Sequence, residues 1–192
     1  MKKVLGISGF MGSGKSLAGV FFEKKGFLRI DADEVVDDLY AEGEAGWRKI
    51  RDYFGPDYIR KDGRVNRPKL AKLVFGDANK IRILNGLIHP PVNGEIRRRI
   101  KACNKDFIAV EAAYFRERHL LEQVDAILWI DCDREILLNR ALKRGISEKM
   151  FSQVIEVQEK PSRIDYFVDN NGDKAAFKAK LEEVYRVFTS GG

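Results

Sequence analysis

The stretch Gly9-Phe10-Met11-Gly12-Ser13-Gly14-Lys15-Ser16 carries the residue types needed to hold a nucleotide phosphate. It fits G-x-x-x-x-G-K-[ST] at every fixed position. Glycines let the backbone turn so that successive amide N–H groups converge on anionic oxygens. A helix starting where the loop ends aims its positive N-terminus at the same point. Lys15 would reach the β- and γ-phosphates of ATP, and the Ser16 hydroxyl would join the shell of a Mg²⁺ ion. The bland alternative is a glycine-rich turn with an incidental Gly-Lys-Ser. Against it, "KVLGIS" (3–8) reads as a buried strand before the loop and 15–25 as a helix after it, which is the context the motif requires. The motif alone does not separate a kinase from a GTPase or a motor ATPase.

Acids at strand ends form the second group. In "RIDADEVV", Asp31 and Asp33 fall at the C-terminal end of an expected second strand, where open parallel sheets bind ligands. A carboxylate there can orient an acceptor hydroxyl and take its proton as the bond to phosphorus forms. The competing reading is a helix N-cap plus a solvated first-turn acid, and position alone weighs the two readings evenly, with one Asp in each role. Glu111 ends the third expected strand and could hold magnesium through water. Neither a guanine-reading "NKxD" nor a Walker-B "hhhhDE" stretch is present.

The elements that must position these groups alternate. Short apolar runs at "GFLRI", 106–112, 125–131 and 165–170 read with 3–8 as parallel strands. Helical spacing covers 134–144 and 173–188, the latter behind a possible Asp173 cap. The expectation is a three-layer αβα fold around a five-stranded parallel sheet. Residues 34–104 interrupt it as a helical insert, with helices near 33–42, 43–54, 67–75, 77–87 and 91–102 punctuated by "GPDY", "KDGR" and "HPP". The core then comprises 1–33 and 105–192, with a short, charged helical lid at about 145–164.

Composition narrows the classes. At 192 residues, 44% hydrophobic and 33% charged, the chain reads as one globular domain, without an apolar run of about 18 residues to span a membrane. Cys103 and Cys132 are far apart and lack metal-ligand spacing, which suits a reduced, cytoplasmic protein. His89 and His119 are isolated. The net charge of +6 is mixed with 29 acids along the chain, so a polyanionic small molecule accounts for it as well as nucleic acid does. The run Arg97-Arg98-Arg99 would spray around a helix instead of forming a stripe, and no nucleic-acid or membrane partner is expected. A monomer or weak homo-oligomer is the expected state.

Several blocks, in order, resemble the dephospho-CoA kinase family of P-loop, nucleoside-monophosphate-kinase-like folds. They are "GISGFMGSGKS", "IDADEVV", "DGRVNRPKLAKLVF" (62–75), "LNGLIHPPV" (84–92), "VDAILWIDCDREILLNRALKR" (124–144) and "IDYFVDNNG" (164–172). The resemblance spans nearly the whole chain. It implies transfer of the γ-phosphoryl of ATP to the ribose 3′-hydroxyl of dephospho-CoA, giving CoA and ADP, with Mg²⁺ as cofactor. It implies Asp33 as catalytic base, Lys15 and Arg140 as catalytic cations, and Arg144 one turn beyond Arg140 on the same helix face. Gly9, Met11, Gly12, Ser13, Gly14, Lys15, Ser16, Leu17, Arg144 and Asn170 would line the ATP site, with Ser16 and, through water, Glu111 on the metal. Arg64, Arg67 and His89 would hold the acceptor with Asp33. His89 could equally be a buried imidazole in a capped turn, and Asn170-Asn171-Gly172 only a turn. The same fold could serve another nucleoside, nucleotide or small hydroxyl acceptor. The chain departs from the family pattern at Leu17 (usually Thr), at Asp37 (commonly Arg or His), at "EAAYFRE" (usually Asp-x-Pro-Leu-Leu), and in a lid arm reduced to Lys160 and Arg163. Across "EAAYFRE", Glu111 and Glu117 keep the acids.

Overall fold

The computed structural model describes residues 2–74, 77–113, 115 and 120–190, with the side chain of residue 78 set aside. Phe75, Tyr114, Glu117 and His119 lie outside the described residues. The chain divides into two compact units, Met1–Asp31 with Cys103–Gly192, and Ala32–Ala102.

The first unit holds one five-stranded sheet in the order β2-β3-β1-β4-β5. The strands are β1 (Lys3–Gly9), β2 (Leu28–Asp31), β3 (Phe107–Glu111), β4 (Ala126–Asp131) and β5 (Tyr166–Asp169), every pair parallel. The inner strands β1, β3 and β4 are nearly unbroken apolar runs because both faces are covered. In β4 every residue from Ala126 to Ile130 is buried. Acids placed just before strands take up main-chain donors that precede the ladder. Asp125 accepts from the Val4 N–H at 2.6 Å, and Asp165 from the Ile127 N–H at 2.7 Å.

Helices α1 (Lys15–Lys24) and α8 (Lys174–Ser190) cover one face. They bury Ala18, Phe22, Phe177, Leu181, Val184 and Phe188 against Leu5, Ile7, Leu128 and Ile130. Asp173 caps α8 by accepting from the Ala176 N–H at 2.8 Å. Phe27 is the hub of this layer, its ring 5.2 Å from Phe22, 5.2 Å from Phe107 and 6.0 Å from Phe188. A second apolar cluster joins Leu137 and Ala141 of α6 (Arg134–Leu142), Phe151 of α7 (Glu148–Val157), and Cys132, with Phe10 and Met11 against it. Burial pushes the Cys132 thiol upward, so it stays neutral. Helix formation across 147–164 stops at Val157, four residues before Pro161, whose ring would clash with the Val157 carbonyl in a continued helix and offers it no N–H.

The second unit contains α2 (Ala32–Leu39), α3 (Ala45–Phe54), a 3-10 turn (Pro56–Tyr58), α4 (Arg67–Val74) and α5 (Ala78–Ala102). The "HPP" segment does not break it. Where two helices were expected, one 25-residue helix runs through Pro90 and Pro91. A proline inside a helix costs about 3 kcal/mol. Ile88, Val92 and Ile96, spaced one turn apart and 5%, 6% and 0% exposed, offset that by burial along one stripe. Arg98 and Arg99 are engaged with acids, both meeting Glu95 and the latter also Asp38. Arg98 first, and then Arg99, hold the Glu95 carboxyl down to about 2. Its depressed pKa stabilises the unit above the ordinary carboxylate range, and that support is lost as pH falls toward 2.

Truncating the aromatic hub is expected to cost about 3–5 kcal/mol. Urea unfolding of Phe27→Ala checks this through the transition midpoint at unchanged slope.

Candidate active site

Parallel strands bring the C-terminal ends of β1, β2, β3 and β4 to one rim, and the glycine loop follows β1 there. Gly12 and Gly14 adopt φ of 86° and 109°, which L side chains rarely take. A Cβ on Gly14 would also sit 2.5 Å from the Asn170 amide nitrogen. The loop closes on itself through Ser13 N–H to Phe10 O at 3.1 Å. The Lys15 ammonium donates to the carbonyls of Gly9 at 2.9 Å and Phe10 at 3.2 Å. The side chain of Leu17 points outward and is 52% exposed.

Two side chains from later in the chain fasten this loop. Asn170, 4% exposed at the end of β5, donates its amide N–H to Ser13 O at 2.7 Å. Arg140 of α6 donates to Gly12 O at 3.1 Å and to Asn170 O at 3.0 Å, forming a clasp across the loop and the β5 end. A third tie comes from beyond α7, where Gln158 Oε1 accepts the Met11 N–H at 2.9 Å. Asn170 is therefore more than a turn residue. Arg144, however, does not share a helix face with Arg140. The helix ends at Leu142, and Gly145 takes φ of 79°, the left-handed stop that leaves Arg144 in the turn, exposed.

Behind the loop, Ser16 donates its hydroxyl to Glu111 Oε1 at 2.6 Å, which brings the two expected metal-side residues together. Glu111 is 5% exposed, and its other oxygen meets Arg29 at 2.9 Å. Among the described residues there is no group of three or more His, Cys, Asp or Glu able to cage a metal. Hydroxyl and carboxylate oxygens nevertheless suit Mg²⁺, which takes one or two protein ligands and completes its octahedron from phosphate and water.

In the arm, Lys160 stays near this rim, 4.0 Å from Asp131 and 5.5 Å from the Trp129 ring. Arg163 does not. It pairs with Asp165 at 3.0 Å and donates to Val124 O at 3.0 Å, at the starting ends of β4 and β5.

The second unit carries the remaining candidates. Asp33 sits in the first turn of α2, which begins directly after β2. The departure at Asp37 has a partner, since Arg67 ion-pairs with its carboxylate and Arg64 donates to its carbonyl at 2.7 Å. All three side chains are exposed or nearly so. Tyr40, beside Arg67, is pushed up to about 12 by burial and remains protonated at neutral pH. His89 lies half-buried inside α5 and shapes no turn.

A family model described as dephospho-CoA kinase matches residues 3–176. The chain belongs to the dephospho-CoA kinase family. It is 32% identical to the dephospho-CoA kinase of Carboxydothermus hydrogenoformans over 88% of this chain and 86% of that one. It is 29% identical to that of Aquifex aeolicus over 97% and 98%. Among solved structures, dephospho-CoA kinase from Campylobacter jejuni superposes with a TM-score of 0.71 at 24% identity, covering 100% and 99% of the two chains. Shikimate kinase from Acinetobacter baumannii gives 0.57 at 15% identity, covering 99% and 94%. These structural likenesses establish the P-loop kinase fold.

Sequence reasoning missed two positions, Gln158, which gives no signal, and Arg29, whose one signal is an arginine within an expected strand. Arg140 is expected as a catalytic cation, and the structure adds its hold on the loop. Because Gly14 combines a positive φ with the Asn170 contact, Gly14→Ala is expected to weaken ATP binding at least about tenfold while the protein stays folded. Equilibrium titration with ATP beside a thermal melt checks both halves.

Proposed function

We propose that the protein transfers the γ-phosphoryl of ATP to the ribose 3′-hydroxyl of dephospho-CoA, yielding CoA and ADP, the last step of coenzyme A synthesis. The observation that carries the reading is the family match across residues 3–176, which spans the phosphate loop and the helical insert alike. The formed loop supports the donor half. Its N–H groups, Lys15 and the start of α1 supply positive potential where a triphosphate would rest. Mg²⁺, held by Ser16 and through water by Glu111, would offset charge on the β- and γ-phosphates.

Asp33 orients the acceptor hydroxyl and accepts its proton. Arg140 already spends guanidinium donors on Gly12 and Asn170. Its contribution in this reading is to keep the loop's shape, and direct contact with the phosphoryl would require releasing one of those bonds. Arg64 and Arg67 meet the pyrophosphate of dephospho-CoA, with His89 lining the acceptor region. The helical insert (34–104) serves as acceptor-binding domain and about 145–164 as the lid. Two free cysteines accord with a reduced, cytoplasmic setting, and no described helix is long and apolar enough to cross a membrane. The protein acts as a monomer or weak homo-oligomer, without nucleic acid.

A coupled ADP assay across dephospho-CoA, AMP, uridine and shikimate tests the acceptor, and dephospho-CoA is expected to be preferred. Asp33→Asn is expected to lower kcat by about 10²- to 10⁴-fold with ATP affinity unchanged. Substantial residual turnover removes Asp33 from the base role. At Asp37, the carboxylate competes with substrate for Arg67. Asp37→Asn is expected to lower KM for dephospho-CoA by roughly two- to fivefold, the scale of one exposed ion pair, with KM for ATP unmoved.

A further inference from the structure

Arg29 belongs to no motif, yet it occupies a strand of a sheet covered on both faces. The β2–β3 register sets Asp31 directly opposite Glu111. Like charges so placed repel. Arg29 stands two residues before Asp31 and so on the same face of the strand. Its guanidinium reaches Asp31 at 2.6 Å and Glu111 at 2.9 Å. The side chains of Arg29, Asp31 and Glu111 are 15%, 13% and 6% exposed.

The chain of contacts ends at the phosphate loop. Glu111 uses its second oxygen to accept the Ser16 hydroxyl proton. A hydroxyl has a single proton, so once that proton is directed at Glu111 its lone pairs face elsewhere, available to a cation. Burying such an ion pair is a poor way to gain stability, since apolar replacements are often neutral or better. The arrangement makes sense if it fixes an orientation.

The backbone has also made room for it. Gly19 lies inside α1, three residues beyond Ser16, and a Cβ there would meet Arg29 Nε at 2.7 Å and Glu111 Oε2 at 2.8 Å. Any side chain at 19 would push on the ion pair itself.

We propose that Arg29 is a positioning residue for the metal–nucleotide complex. It holds the Glu111 side chain aimed at Ser16, so that the serine oxygen is presented to Mg²⁺. The proposal rests on the Mg²⁺·ATP reading given above. It assigns Gly19 a role as well, as the space in which the pair sits.

Calorimetric titration with ATP, once with Mg²⁺ and once with EDTA, separates metal-dependent from metal-independent binding. Wild-type protein is expected to bind ATP more tightly with Mg²⁺. Arg29→Met, which keeps the apolar stem, is expected to lose about tenfold of that metal-dependent gain while affinity in EDTA holds, the scale seen when a partner behind a metal ligand is removed. Arg29→Lys is expected to keep part of the gain, as a point charge cannot reproduce the planar fork.

Gly19→Ala separates this from a structural role. Alanine's preference for the helix interior offsets part of the crowding, so the protein is expected to stay folded, while the displaced pair weakens metal-dependent binding. It also provides the test if Arg29→Met fails to fold. Metal-dependent binding that survives unchanged in Arg29→Met, or in Gly19→Ala where Arg29→Met does not fold, overturns this proposal alone. A wild-type protein whose ATP affinity ignores Mg²⁺ overturns the metal reading and this proposal with it.

Discussion

The site depends on one hydrogen-bonded clasp. A glycine loop has few side chains with which to hold itself, and its main-chain carbonyls would otherwise be left to water. Asn170 and Arg140 take up the carbonyls of Ser13 and Gly12, and Arg140 takes up that of Asn170 too. The end of β5 and the middle of α6 thereby set the curvature of a loop more than a hundred residues earlier in the chain. A cradle of N–H groups acts on phosphate only when its dipoles are already aimed. The clasp fixes that aim, and the sheet supports the clasp.

This division explains what could be read from the amino-acid order. Strands such as β4 are legible because a strand covered on both faces must be apolar throughout, and the loop is legible because its glycines and lysine are constrained locally. Helix α5 departs from expectation at Pro90 and Pro91, since the local cost of proline is visible in sequence whereas the burial of Ile88, Val92 and Ile96 that offsets it is tertiary. At Arg144 the expected helix reaches the residue before Gly145, whereas the observed one ends at Leu142 and the left-handed Gly145 closes the turn. Gln158, Asn170 and Arg29 act through partners over eighty residues away, and no local pattern announces such contacts.

Charge in the second unit follows a related logic. A basic surplus suggests open cationic surface, yet Arg67, Arg98 and Arg99 are each engaged with a carboxylate. Asp37 is the clearest example, its carboxylate taken up by Arg67 and its carbonyl by Arg64.

The run from Gln158 to Asp165 is fixed at both its ends. Gln158 is bonded to Met11 at the loop rim, while the Asp165 N–H is bonded to Ile127 O near the start of β4. Seven peptide steps reach roughly 24 Å when fully drawn out. The strand they run alongside accounts for most of that length, at roughly 3.3 Å per residue. The arm is thus a strap with little slack, and it cannot sweep far while both knots hold. Large excursions require one of these ties to open, and the glutamine couples its end of the strap to whatever claims the Met11 amide.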